Sequence, residues 1–443
     1  MIRGSNQKFL TKTILFCFGL FQFFFRQGSK NSLYATLENL KPEKRASFLA
    51  YVGIEGDSLP HPSVVDDYLA LLDPEEVNRI LMDLFISCQK DKLFYNHAEK
   101  LLPNNSFHLG MDGFWTHHYQ NPHAADEAGN NVCPYCLPRV HHKGTAEEYT
   151  TWVHAFVTFV MVFPGGLTLP IYIYPLKSEQ VNTASQDNDF KQECELTAAH
   201  AVLVKIRERL PRISITFLGD SLYANHPFIK LCEKLFIDYL IVRKEKTLPT
   251  IGKKCDELAT TELYTKHYKH KQKTKSGKTS IEKECCWFNH VHLAEDTYTN
   301  VLRFVETSFA SGSDPSTYRN EWLCSRKINI GNCFSLPAHG RLRWDHEDMH
   351  NSLKNRGFDA SHDYARKNPN LWLIWKLLMF VGFLIFELFS FTQLAYDAKG
   401  LRSWMKFAKD LLEQLVNLLW SDISLSRCLQ KVKIQFRYRF DTS

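Results

Sequence analysis

The stretch Ile213 to Val242, ISITFLGDSLYANHPFIKLCEKLFIDYLIV, decides the fold. Its opening, ISITFLG, is apolar and β-rich and predicts a buried strand ending at Asp220. Asn225 to Leu235 reads as a helix, and Asp238 to Val242 as the next buried strand. Working outward, Lys191 to Leu210 reads as a helix closed by Pro211. Residues 149–163 form a long β-rich run, and Pro164-Gly165-Gly166 turns it into a strand from Leu169 to Tyr174. Before these, SFHLGMDGFW predicts a short strand ending at Asp112-Gly113. Three strands, a helix, a strand, a helix and a strand is an α/β order. It predicts a mixed sheet flanked by helices, with right-handed crossovers.

Both flanks have a different texture. Residues 1–105 read as helical: Leu69, Leu72, Ile80, Leu81, Leu84 and Phe85 recur near helical spacing, and Asp73-Pro74 divides that run into two helices. Downstream, Arg243 to Lys283 holds twelve Lys/Arg against five Asp/Glu, an excess of +7 that accounts for the chain's whole net charge of +6. Strands are predicted behind it at Cys285–Leu293, Val301–Thr307 and Glu321–Ile328, so residues 245–335 read as a basic, strand-rich insertion. A helix resumes near Arg341, and Lys431 to Phe440 alternates like an exposed strand. The expected segments are therefore 1–105, 106–244, 245–335 and 336–443.

Composition excludes several classes. The 443 residues are 44% hydrophobic and 23% charged, which excludes a disordered or collagen-like chain. Twelve Cys are too sparse for a disulfide scaffold and predict reduced thiols in a cytoplasmic protein. Phe9 to Phe25 follows a basic start but lacks a small-residue cleavage site. Leu371 to Phe391 is long enough to span a bilayer. It carries Lys376 and Glu387 eleven residues apart, three helical turns, which predicts a polar edge on a core helix and no membrane partner.

Asp112 and Asp220 each end a predicted strand, where open α/β sheets place their sites. Glu347 lies in GRLRWDHEDMHNSLKNRGF, a predicted helix on which Arg343, Glu347 and Asn351 share one stripe, with Lys354 seven residues past Glu347. Hard oxygen ligands beside cations suit Mg²⁺ sites that grip phosphates, and two such ions can clamp both oxygens of a phosphodiester. The competing reading makes the aspartates turn caps and Glu347 a solvated helix residue.

The local words FHLGMDGFW, FLGDSLYANHPFIKLCEKLFIDYLIVRK, RNEWLCSRKINI and GRLRWDHEDMHNSLKNRGF, with SHDYARKN behind, occur in this order. Together they resemble the DDE transposases of bacterial insertion sequences, the cut-and-paste class whose ribonuclease H-like domain carries a strand-rich insertion. The resemblance runs from about residue 60 to the C-terminus. It implies a metal-binding catalytic triad of Asp112, Asp220 and Glu347, with Mg²⁺ replaceable by Mn²⁺. Arg343 and Lys354 match the family's basic residues that face DNA phosphates; Asn351 and Lys244 are the further expected DNA contacts. The implied partners are element ends and target DNA, held by a homodimer in a nucleoid-associated setting, with residues 1–105 serving end binding or oligomerisation. The implied reaction is strand cleavage followed by strand transfer. The alternatives are a nuclease of the same fold that does not join strands, and a DNA-binding relic without catalysis. Two departures stand out: Gly340 occupies the position where the family's signature has Tyr, and Ser221 follows the second Asp where Gly is common.

Other motifs compete. His346-Glu347-Asp348-Met349-His350 is formally the zinc-protease signature, but Leu353 and Arg356 stand where its extended form needs Gly and His. Cys133-Pro134-Tyr135-Cys136 with His141 and His142 has zinc-like spacing, and Cys285-Cys286 with His290 and His292 offers a second set. Here reduced loop and core cysteines are the favoured reading and a structural Zn²⁺ the secondary one. Trp287 and Trp322 are placed in the core of the insertion rather than on a stacked base. Ser276-Gly277-Lys278-Thr279 imitates a phosphate loop without its first glycine and without a preceding strand, so nucleotide hydrolysis is rejected.

Overall fold

The computed structural model describes residues 12–417, apart from the short stretches 52–57, 96–101, 103–104, 179–186, 261–265, 274–278, 311, 313, 363 and 366–367. The expected strand at Lys431 to Phe440 lies outside the described residues. The N-terminal helices are α1 (Lys12–Phe24), α2 (Lys30–Glu38), α3 (Pro42–Tyr51), α4 (Pro62–Leu69) and α5 (Pro74–Lys90). The break at Asp73-Pro74 falls as the sequence requires: Asp73 caps α5 through Glu75 N, and Pro74 takes the first turn, where a missing N–H costs nothing.

The strands are β1 (Phe107–Tyr119), β2 (Leu137–His141), β3 (Tyr149–Val162), β4 (Thr168–Pro175), β5 (Ile215–Gly219), β6 (Asp238–Val242), β7 (Lys266–Lys273), β8 (Thr279–Ala294), β9 (Thr297–Ala310) and β10 (Ser316–Cys324). They form one mixed open sheet in the order β2-β3-β1-β5-β6-β10-β9-β8-β7, with β4 also paired to β3. β1, β5 and β6 run parallel and the remaining pairs are antiparallel. The parallel centre is connected by α6 (Asp187–Arg209) and α7 (His226–Lys234). The remaining helices are α8 (Pro249–Ala259), α9 (Ser335–Arg341), α10 (Arg343–Asn355), α11 (Pro369–Ser390), α12 (Gln393–Lys399) and α13 (Trp404–Asn417).

Three expectations change here. The strand through Asp112 does not end there. β1 continues to Tyr119 because β3 keeps pairing with it after the parallel pairing to β5 has stopped. The strand-rich insertion extends the central sheet, since β10 pairs with β6 from Trp322↔Val242 to Cys324↔Leu240. It also contains α8, a helix that the sequence pattern did not reveal. The third change concerns α11. Its Lys376 is 1% exposed and offers no polar edge. The ammonium donates to the carbonyls of Ala360 and His362, both at 2.6 Å, and so stays satisfied inside the core.

α11 is long and apolar enough to cross a membrane, and most of its apolar window is buried in the fold. Its core partners include α1, where the ring of Phe23 packs on Trp375. α5 covers β4 and also closes part of that strand's edge: the Asn78 side chain donates to Ile173 O at 2.7 Å and accepts from Ile173 N at 3.0 Å. That pairing substitutes for a neighbouring strand.

Candidate functional site

β1 and β5 pair in parallel, and the pairing ends with Gly110 opposite Leu218. Two residues further along each chain stand Asp112 and Asp220. Both therefore stand just past the end of this pairing, at the same end of the parallel pair, and the charges of both reach Tyr223. Each carboxylate is steadied locally. Asp112 Oδ1 accepts from Gly113 N and Asp220 Oδ1 from Leu222 N, both at 2.9 Å. Behind them Tyr223 is wholly buried. Burial, with the negative charges of Glu195, Asp220 and Asp112, holds its phenol well above the ordinary tyrosine range. Tyr223 OH donates to Glu195 Oε2 at 3.5 Å. Glu195 is therefore a third acid around Tyr223, with the two aspartates. Sequence reasoning missed it because it sits in a helix with no distinguishing motif; only its hydrogen bond with the buried Tyr223 selects it.

α10 crosses β1 at Gly110. A Cβ on Gly110 would stand 2.9 Å from His346 Nδ1, so the helix approaches only because position 110 has no side chain. The helix is pinned through a buried hydroxyl. Thr158, opposite Asp112 on β3, has its Oγ1 2.7 Å from His346 Nε2 and 2.9 Å from His350 Nε2. It also donates to Asp112 O at 3.2 Å. A hydroxyl has one proton and two lone pairs. With its proton on Asp112 O, Thr158 accepts from both imidazoles, and each ring carries its proton on Nε2. Desolvation keeps both rings neutral: His346 is held well below the usual histidine range and His350 is lowered to about 3.

This geometry overturns the zinc-protease reading. His346 and His350 point into the core onto Thr158, while Glu347 points the other way and its side chain is 48% exposed. His350 Nδ1 does approach Asp112 Oδ2, at 3.9 Å.

The predicted stripe lies on the open side of α10. Arg343 Nη1 pairs with Glu347 Oε1 at 2.7 Å. Asn351 and Lys354 are exposed. Lys354 Nζ lies 5.0 Å from the centroid of Phe114, which shares the Asp112 face of β1 two residues on. Lys244 is exposed in the loop after β6. Its neighbour Arg243 is instead 8% exposed and ion-paired with Glu321, so the basic run begins with a structural cation. Trp287 and Trp322 are both buried. On α10, Trp344, next to Arg343, is 49% exposed. The departure at Gly340 also has a steric cause. A Cβ there would stand 2.6 Å from Trp322 Nε1, leaving no room for the Tyr that the resemblance leads one to expect.

Asp112 and Asp220 thus lie at the same end of the parallel pair, whereas Glu347, expected as the third carboxylate, lies on the exposed side of α10 paired with Arg343 and is not brought to them; carboxylate oxygens of this kind are hard donors, the type that Mg²⁺ and Mn²⁺ take. No family model matches this chain, and no curated protein matches it.

Proposed function

We propose that the protein is a DNA transposase with a ribonuclease H-like catalytic domain, cutting and rejoining strands at the ends of a mobile element. The observation that supports this reading is the β1–β5 register, which puts Asp112 and Asp220, 108 residues apart in sequence, at the same end of one parallel pair, with α10 laid against the same face of β1. In this reading Asp112, Asp220 and Glu347 hold Mg²⁺. When bound, the ion supplies an activated oxygen nucleophile and neutralises charge on the scissile phosphate. The protein's own groups position the substrate. Lys354 and Arg343 face the phosphates flanking the cut, Asn351 and Lys244 extend that contact, and Trp344 offers a flat surface to an unpaired base. Gly113 N and Leu222 N orient the two aspartates, and Tyr223 with Glu195 backs them. Arg343 is shared with Glu347, so DNA phosphate and carboxylate compete for one guanidinium. That competition would swing Glu347 toward the aspartates as DNA enters. Cytoplasmic, nucleoid-associated operation on DNA as a homodimer belongs to the same proposal.

The test uses the full chain with a plasmid carrying the genomic DNA that flanks its gene. Mg²⁺ should give cleavage at the element ends and joining to a target. Asp112→Asn and Asp220→Asn should each abolish both, with DNA binding kept or tightened, because less negative charge faces the phosphates. Cleavage without joining would identify a nuclease of the same fold. Binding without any Mg²⁺-dependent cleavage would identify a relic. Cleavage that survives Asp112→Asn would overturn the site.

A further inference from the structure

The chain between β1 and β2, residues 120–136, is a 17-residue loop with no helix or strand of its own. Loops of that length inside a compact fold need something to order them. This one closes on a small core of its own, formed by Ala124, Cys133 and Cys136 with Tyr135 and Trp152 packed against it. Cys133 and Cys136 are both 0% exposed, His154 on β3 is 0% exposed, and His123 is 7% exposed. Their polar atoms converge. His154 Nε2 lies 3.1 Å from Cys136 Sγ and 3.5 Å from Cys133 Sγ. One ligand atom each from His123, Cys133 and His154 falls within 4.8 Å of the others.

We propose that His123, Cys133, Cys136 and His154 form a structural zinc site of the Cys₂His₂ type. The spacing of His154 to both thiols fits, because Zn–S bonds of about 2.3 Å and Zn–N bonds of about 2.0 Å in a tetrahedron put S and N about 3.5 Å apart. The second sphere fits as well. His123 Nε2 lies 2.8 Å from Ala365 O, so that nitrogen carries the ring proton and Nδ1 presents its lone pair. Cys136 Sγ accepts from His123 N at 3.2 Å, and such a backbone donor steadies a thiolate. The charge fits too. Two thiolates and one Zn²⁺ sum to zero, which is what complete burial demands; two thiolates without the ion would be buried charges of like sign. Lastly, a soft sulfur–imidazole tetrahedron selects Zn²⁺ over the oxygen-loving ions of the acidic site.

The partners differ from those that spacing suggested. His141 is bonded to Thr151 and stacked on Tyr149, His142 also lies against Tyr149, and His290 and His292 lie by Tyr298 in the β8–β9 hairpin. The true partners lie ten residues before Cys133 and eighteen after Cys136. His154 is four residues from Thr158 along β3, about 13 Å, so the zinc site is separate from the acidic cluster. Its role is to tie the loop to β3 and, through Ala365, to the segment leading into α11.

Metal analysis of the full chain, purified under reducing conditions from zinc-replete cells, tests this. Wild type should carry close to one zinc per chain. Cys133→Ser, Cys136→Ser and His154→Ala should each lose it, whereas Cys286→Ser should keep it. Cobalt put in place of zinc should give the visible d–d bands of a tetrahedral site and a near-ultraviolet thiolate band. If the ligand variants fail to fold, the wild type still answers: a zinc chelator should lower its melting temperature, and Zn²⁺ but not Mg²⁺ should restore it. Zinc-free wild type that refuses cobalt, zinc retained by the Cys133→Ser/Cys136→Ser double variant, or a Cys133–Cys136 disulfide under reducing conditions would each overturn the assignment.

Discussion

Thr158 places one methyl and one hydroxyl where β1, β3 and α10 meet, and the hydroxyl serves His346, His350 and Asp112 O together. Thr158→Val keeps the shape and removes the oxygen. Two buried imidazole N–H groups would then lack an acceptor, at roughly 1–3 kcal/mol each. Urea unfolding should show a loss of about 2–6 kcal/mol; a change under about 0.5 kcal/mol, the range typical of exposed sites, would show that the hydroxyl does not pin the helix. The histidines also set a pH response. His108 and His350 are lowered to about 3 and His339 to about 4, in each case chiefly by burial, with His346 also well below the ordinary value. The unfolded chain binds their protons below its ordinary histidine value of about 6.5, while the folded chain does not. Their contribution is therefore complete above about pH 6.5 and is lost as pH falls from there toward about 3–4. The urea midpoint should drop clearly between neutral pH and about pH 5. A flat profile over that range would mean that these rings are charged in the folded state.

At the scale of elements, contacts decide what composition leaves open. In α11, Lys376→Met should cost about 1–3 kcal/mol, because the carbonyls of Ala360 and His362 lose their shared donor. A solvent-facing edge lysine would cost nearly nothing, so chemical denaturation separates the two. In α9, Gly340→Tyr restores the residue type the family resemblance expects and collides with Trp322 Nε1. Overpacking of that kind should cost about 1–3 kcal/mol and shift the Trp322 fluorescence. Unchanged stability and emission would show that the Trp322 ring moves aside without penalty.

At the scale of the whole molecule, charge is divided between structure and surface. Arg243 and Arg303 both pair with Glu321, whose side chain is 13% exposed, so the start of the basic segment is internal. Arg243→Ala should therefore destabilise the fold by leaving the Glu321 carboxylate short of a partner. Lys244, Lys246 and Lys253 behave differently. Under the proposed function, neutralising them should weaken DNA binding for every sequence alike. The slope of log K against log salt should fall by about 0.9 for each phosphate that a lysine no longer neutralises. A slope that does not change would place these lysines off the DNA path.

The sequence by itself determined the α/β order, because the apolar runs at β5 and β6 are too short for helices, the longer run at β3 is β-rich, and Pro164-Gly165-Gly166 closes it. It also marked Asp112, Asp220 and the α10 stripe as candidates, since strand-adjacent acids and i, i+4, i+8 spacing are local properties. Those same local cues left the histidines of α10 ambiguous: the H-E-x-x-H spacing is identical whichever way the rings point. Only tertiary structure decided that, by burying Thr158 between them. It alone grouped Glu195 with the aspartates around Tyr223, closed the sheet edge with Asn78, and turned Lys376 inward. It also joined His123 and His154 to Cys133 and Cys136, because ligand sets are assembled by chain reversals at β2 and β3 that residue spacing does not encode. Periodicity is written along the chain. Proximity between residues far apart in sequence is written only in the pairing of strands and the packing of helices upon them.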